Sequence, residues 1–237
     1  MKVTLTRMTK DPILAVEEAA SNCYDSTPDG SGKIMKHCVK SGHHSVTEFC
    51  DFTFHIEGIS RALSHQLVRH RLASYAQRSQ RYCSESGFDF VTPPSIKKNE
   101  DMLASYKKIM GDLAHFYQLF QDNGISNEDA RMILPNACET QIEVKMNLRT
   151  LMNFMYERLC TCAQWEIREL ARKMREEAIK QVPELADYLV PKCERFGKEF
   201  GFCLETKSRR EALNCNRHPR IAEIFESYHN YEDMCNS

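Results

Sequence analysis

Glycine is scarce in this chain, 9 residues in 237, and none of them forms a G-x-G-x-x-G fingerprint or a phosphate-binding loop. That absence removes the backbone cradles with which dinucleotide folds and P-loop enzymes hold phosphate, so a bound nucleotide would have to be held by side chains. No Gly-x-Ser-x-Gly elbow presents a nucleophilic serine either. Charge of one sign is also lacking. The formal net charge is −1, which excludes the broad basic field that duplex nucleic acid calls for. No apolar run approaches the ~18–20 residues needed to cross a bilayer. The opening residues Met1-Lys2-Val3-Thr4-Leu5 lack the apolar stretch of a secretory signal. A soluble, cytoplasmic protein without membrane or nucleic-acid partners is the expectation.

Cysteine is plentiful, 11 residues, but no Cys-x-x-Cys pair occurs. An odd count without tight pairing suits a reducing compartment better than a disulfide framework. Zinc sites usually offer two paired knuckles or a histidine pair, and on that ground no metal is expected. Cys160 and Cys162 flank a single residue and would point to different sides of a helix.

Residue patterning predicts one α+β domain over residues 1–237, with long helices packed on a small, mostly antiparallel sheet. A first strand covers Lys2 to Met8. Asp11, as N-cap, opens a helix to about Tyr24, with Pro12 in its first turn. A loop over Asp25–Gly32 leads to a short helix from Lys33 to Ser41. Phe49 to Ile56 alternates as a strand, with Cys50, Phe52, Phe54 and Ile56 on one face, and Gly58 breaks it. Ser60 caps a helix running to about Leu72, on which Gln66, Arg69 and His70 share a face. Ser79 to Ser86 loops out. A long helix spans Asn99 to Gln121, and Ser126 caps a shorter one ended by Leu134-Pro135. Gln141 to Met146 reads as a strand, and Asn147 caps the longest helix, Leu148 to about Lys180. Val182-Pro183 stops that helix, and a short one continues to about Val190. From Lys192 onward the pattern weakens, with a last helix over Ile221 to Tyr231.

Chemistry concentrates in the run Arg69-His70-Arg71-Leu72-Ala73-Ser74-Tyr75-Ala76-Gln77-Arg78-Ser79-Gln80-Arg81-Tyr82. Guanidinium forks match phosphate oxygens bidentately, so this density of donors suits an anion. The plain alternative is a solvated basic helix end. A second cluster, Gly42-His43-His44-Ser45-Val46-Thr47-Glu48, gathers imidazole, hydroxyls and a carboxylate before the strand, or is a helix end with a self-capping loop. Arg131, ahead of Leu134-Pro135, is either a ligand or a surface residue. In Asn147-Leu148-Arg149-Thr150-Leu151-Met152-Asn153, helical geometry puts Arg149 and Asn153 on one face, with Arg158 pointing away from them.

Arg69-His70-Arg71, seven residues and then Ser79 resembles the hallmark of the flavin-dependent thymidylate synthases. So do Ser79-Gln80-Arg81-Tyr82, Gly42-His43-x-Ser45-x-x-Glu48, the Arg131 to Pro135 segment and Asn147-x-Arg149 with Leu151-Met152-Asn153-Phe154. The four occur in the family's order, within about residues 2–190; residues 192–237 form a tail without a motif. The resemblance implies a mixed α/β fold, a homotetramer with shared active sites, and conversion of dUMP to dTMP. Methylenetetrahydrofolate would be the one-carbon donor, with FAD the cofactor and NADPH its reductant. It assigns FAD contacts to Ser45, Glu48, Arg69, His70, Arg71, Gln77, Asn147, Leu148, Arg149 and Asn153, with His43 nearby. It assigns dUMP contacts to Gln66, Leu67, Val68, Arg69, Gln77, Arg78, Ser79, Gln80, Arg81, Arg131 and Arg158. Arg158 matches the residue that activates the pyrimidine. Gln77 stands where some members carry Glu, and an amide donates as well as accepts. A nucleotide- or RNA-binding module using the same arginines without turnover is the competing expectation; aromatic platforms would favour it, and only Tyr75 and Tyr82 lie in the cluster.

Overall fold

Period-two and period-3.6 segments alternate along the chain, and the computed structural model, which describes residues 1–227, turns them into a small sheet with helices. Four strands, β1 (Lys2–Met8), β2 (Asp51–Ser60), β3 (Ser74–Gln77) and β4 (Glu139–Asn147), form one sheet in the order β1-β2-β4-β3. The chain gathers into two compact units: Met1–Thr4 with Thr53–Lys145, and Leu5–Phe52 with the chain from Met146 on.

In the first unit β3 and β4 pair antiparallel, with Tyr75 opposite Val144 and Gln77 opposite Ile142. Buried Phe54, Ile56, Ile142 and Val144 give the expected apolar alternation. Helix α3 (Arg61–Leu67) starts from Ser60, whose hydroxyl accepts the Leu63 N–H at 3.0 Å. Short α4 (Pro94–Lys97) precedes the longest described helix, α5 (Glu100–Asp122), capped by Asn99. Its Tyr117 is buried, and the phenol oxygen accepts the Glu85 N–H at 3.1 Å. One-turn α6 (Asn127–Ala130) runs into a 3-10 turn at Arg131–Ile133.

In the second unit, α1 (Pro12–Tyr24), α2 (Lys33–Lys40) and a 3-10 segment (His44–Phe49) precede the buried Cys50 and Phe52. Glu17 on α1 is fully buried, and its carboxylate accepts the N–H groups of Gly30 and Ile34 at 2.8 and 3.2 Å. A carboxylate at the first turn of α2 satisfies donors that the helix leaves open, and so fixes the helix that leads into Gly42 and His43. Helix α7 (Leu148–Arg158) buries Leu148, Leu151, Met152, Phe154 and Met155, and α8 (Trp165–Gln181) buries Ile167, Leu170, Ala171 and Met174. The last labelled helix is α9 (Lys207–Ala212).

Several sequence expectations change. Gly58 does not end its strand: it takes φ +67°, shifts the burial alternation by one residue, and β2 continues to Ser60. Asp11 precedes α1 in a left-handed conformation and makes no side-chain cap bond; its carbonyl accepts Ala15 N–H instead. Ser126 likewise makes no cap bond. The helix from Ser60 ends at Leu67, so Arg69 and His70 lie on a turn and share no helix face with Gln66, and β3 follows where no strand was expected. The helix predicted from Leu148 to Lys180 is two helices, separated at 159–164, where Gln164 caps the second by accepting from Glu166 and Ile167. A 3-10 segment, Pro183–Asp187, replaces the short helix to Val190. The expected last helix is helical over 221–227, and its remainder lies outside the described residues.

Candidate active site

In the first unit, the Arg-His-Arg turn is moored from below. After α3, the N–H groups of Arg69 and His70 reach back to the carbonyls of Gln66 and Leu67. The Tyr75 hydroxyl, on β3, lies 2.9 Å from both the Leu67 and the His70 carbonyls and donates to them. Burial pushes this phenol up to about 12. Arg69 and Arg71 project from that turn, exposed, with no side-chain hydrogen bond or ion pair among the described residues. Unpaired guanidinium groups on a fixed backbone are poised for an anionic ligand. Replacing Tyr75 by Phe is expected to cost about 1 kcal/mol, seen as a lower denaturation midpoint at unchanged m-value, and to speed amide exchange over residues 67–73.

Gln77 is half-buried; its amide donates to Ser64 Oγ at 3.0 Å and Thr140 Oγ1 at 3.4 Å, which turns the carbonyl oxygen away from those hydroxyls as the available acceptor. The Ser79 hydroxyl accepts the Arg81 N–H at 3.2 Å. Arg81 pairs with Glu128 at 2.8 Å and lies over Tyr82, while Arg131 donates to the Glu128 carbonyl at 3.1 Å. Glu128, which sequence reasoning passed over, thus gathers Arg81 and Arg131; only its place one turn before Arg131 hinted at it.

Other expected positions already have partners or are buried. Arg78 pairs with the buried Glu85 at 3.1 Å and donates to the Ser84 carbonyl. Gln80 is buried, with its amide 3.8 Å from Cys138 Sγ. The Leu67 side chain is fully buried, while Val68 is exposed.

In the second unit, Glu48 and Arg149 form an ion pair at 2.5 Å, uniting two expected FAD contacts. Asn147 caps α7 by accepting the Thr150 N–H at 2.9 Å, which leaves its amide hydrogens for a ligand. Arg149 and Asn153 are both exposed on α7, as their spacing predicted, and Arg158 at its end is half-buried. Leu148 is fully buried, with its N–H given to the Cys50 carbonyl, so its side chain has no surface to offer. Ser45 and His43 are exposed. A cavity of about 530 Å³ opens beside Gly42 and His44, lined also by Lys36, Lys40, Arg195 and Phe196. Burial, then Arg195 and Arg149, lowers the His44 pKa and favours its neutral form. Arg195 and Phe196 belong to the tail, which carried no signal in sequence.

The family profile "Thymidylate synthase complementing protein" matches residues 4–184. The chain is 39% identical over 241 residues to the flavin-dependent thymidylate synthase of Nitratidesulfovibrio vulgaris, covering 92% of this chain and 95% of that protein. Its identity to the protein of the same name from Pyrococcus horikoshii is 41% over 247 residues, covering 96% and 100%. The crystal structure of flavin-dependent thymidylate synthase from Helicobacter pylori, complexed with FAD and dUMP, shares the fold with a TM-score of 0.65 at 24% identity, covering 81% of this chain and 99% of that one. A profile spanning most of the chain, and relatives near 40% identity end to end, carry the four motifs and the α+β fold to one conclusion: this chain belongs to the flavin-dependent thymidylate synthases, a family of methyltransferases.

Proposed function

We propose that the chain converts dUMP to dTMP with FAD as cofactor, methylenetetrahydrofolate as one-carbon donor and NADPH as reductant, all of residues 1–237 acting as one synthase domain with a variable tail from 192. The observation that carries this reading is the moored turn with Arg69 and Arg71 exposed and unpaired, in a chain of this family. The relative from Helicobacter pylori is complexed with both FAD and dUMP. The donor set fits FAD: guanidinium groups suit its phosphates, and the amides of Asn147 and Asn153 suit its polar edges. Bound FAD would supply the hydride chemistry that amino-acid side chains do not.

In this reading Arg69, Ser79, Arg81 and Arg131 clamp the nucleotide phosphate, and Arg158 places positive charge beside the pyrimidine. No protein nucleophile is needed, and Ser79 donates a hydrogen bond only. Assembly into a homotetramer with shared sites is part of the proposal. Met102, Ile109 and Phe116, seven residues apart on α5, are each about half exposed and form an uncovered apolar face. Light scattering should report four chains.

The test is anaerobic turnover with dUMP, methylenetetrahydrofolate and NADPH. Yellow protein that forms dTMP supports the reading. Protein that binds dUMP yet neither takes up FAD nor forms dTMP would instead be a nucleotide-binding module.

A further inference from the structure

The second unit contains a cysteine cluster that the proposed chemistry does not use. At the break between α7 and α8, the thiols of Cys160 and Cys162 lie within 4.8 Å of each other and of the Glu205 carboxylate. The ligand atoms of Cys193, Glu194 and His218 lie within 4.8 Å of one another. Cys160, Cys162, Glu205, Cys193 and His218 line one small cavity of about 20 Å³, together with Cys203 and Cys215. That volume suits a single ion or water and nothing larger.

The carboxylates already have cationic partners. Glu205 pairs with Lys192 and, at 3.6 Å, with Arg209; Glu194 lies 3.7 Å from Arg217. That leaves thiols and imidazole as the open donors, a set that favours zinc over magnesium or calcium. His218 Nε2 faces Glu194 at 3.4 Å, which leaves Nδ1 for a metal, in the carboxylate–histidine arrangement that commonly orients such ligands. The ring lies against Gly201, where an added Cβ would come within 2.3 Å of it. Arg210 donates to the carbonyls of Cys215 and His218 at 3.3 and 2.8 Å and so holds that turn against the cavity. A thiolate–zinc centre carries net negative charge, and Lys192, Arg210 and Arg217 line the cavity to balance it.

The tail's packing supplies an independent argument. No residue from 192 to 227 is buried, and Phe196, Phe200 and Leu204 are well exposed. Yet its backbone is ordered by specific bonds, from the Phe202 N–H to the Cys193 carbonyl at 3.0 Å and from Cys203 N–H to the Pro219 carbonyl at 2.7 Å. A segment with defined turns and no apolar core of its own needs a staple.

We propose that this cavity is a structural zinc site, with Cys160, Cys162, Cys193 and His218 as the four ligands, the thiol and imidazole members of the two close groups. The ion joins the tail to the α7–α8 break. Cysteine spacing alone gave no warning of it, because the ligands are spread from Cys160 to His218.

The test is elemental analysis of the full chain purified under reducing conditions. About one zinc per chain is expected, released in step with titration of its thiols by an organomercurial. The double variant Cys160→Ser/Cys162→Ser should retain less than about a tenth of that metal. Gly201→Ala, which replaces no ligand but displaces the His218 ring, should also weaken retention, a check that stands if the double variant misfolds. On the unaltered protein, a chelator should open proteolytic cleavage within 192–227 and leave the earlier residues resistant. Two results would each overturn the proposal: no zinc retained after incubation of the reduced chain with zinc and desalting, or iron with inorganic sulfide in its place.

Discussion

Arg158→Ala should keep its yellow cofactor and lose dTMP formation by about 10²–10³-fold, the cost of removing one preorganised donor from a developing charge. Activation of the pyrimidine builds negative charge on the ring, and a fixed guanidinium stabilises that charge more than it stabilises the resting substrate. The loss therefore falls on kcat and on kcat/KM alike, with dUMP affinity changed far less. Arg158 closes α7, whose C-terminal end favours a cation, so the charge is held there without a nucleotide. Arg158→Lys keeps the charge and loses the planar fork; partial recovery separates electrostatics from geometry. Turnover unchanged in the alanine variant, measured with saturating folate and reductant, would remove Arg158 from the reaction.

Arg71→Ala should release FAD while the fold stands. Charge-assisted hydrogen bonds contribute about 1.5–3 kcal/mol each, so FAD affinity should fall by about 10- to 100-fold. Arg71 is exposed and makes no side-chain bond among the described residues. Its removal should change stability by no more than about 0.5 kcal/mol. Flavin absorbance after desalting reads the first effect, and a denaturant curve of the FAD-free protein reads the second. A variant that retains FAD as tightly as the parent but melts early would place Arg71 in the framework.

What sequence made legible was chemistry that is local along the chain. Arg69, His70 and Arg71, the interval to Ser79, and the Asn147 cap followed by Arg149 and Asn153 could all be read from spacing. The strand faces were readable too, because Phe54, Ile56, Ile142 and Val144 alternate and are buried. Several misreadings come from a partner that local preference does not reveal. Helix-forming residues continue past Leu67, but Tyr75 captures the carbonyls of Leu67 and His70 and the helix stops. Strand β3 is four residues long and partly polar, so only its pairing with β4 defines it. No proline or glycine marks the break at 159–164; Gln164, an unusual cap, and the cavity shared with the tail mark it instead. Arg78 looked equal to its neighbours until Glu85 appeared beside it, and Leu148 fell inside the motif yet points into the core.

The phenol beneath the arginine turn has a consequence for alkaline conditions. An unfolded tyrosine ionises near 10, whereas burial holds Tyr75 to about 12. Its hydroxyl therefore stays a donor throughout the mildly basic range. The sign is that of a raised value: the stabilisation is complete below the unfolded value and disappears only as pH climbs through the folded one. Cofactor shed in mild base would have to trace to some group other than this mooring.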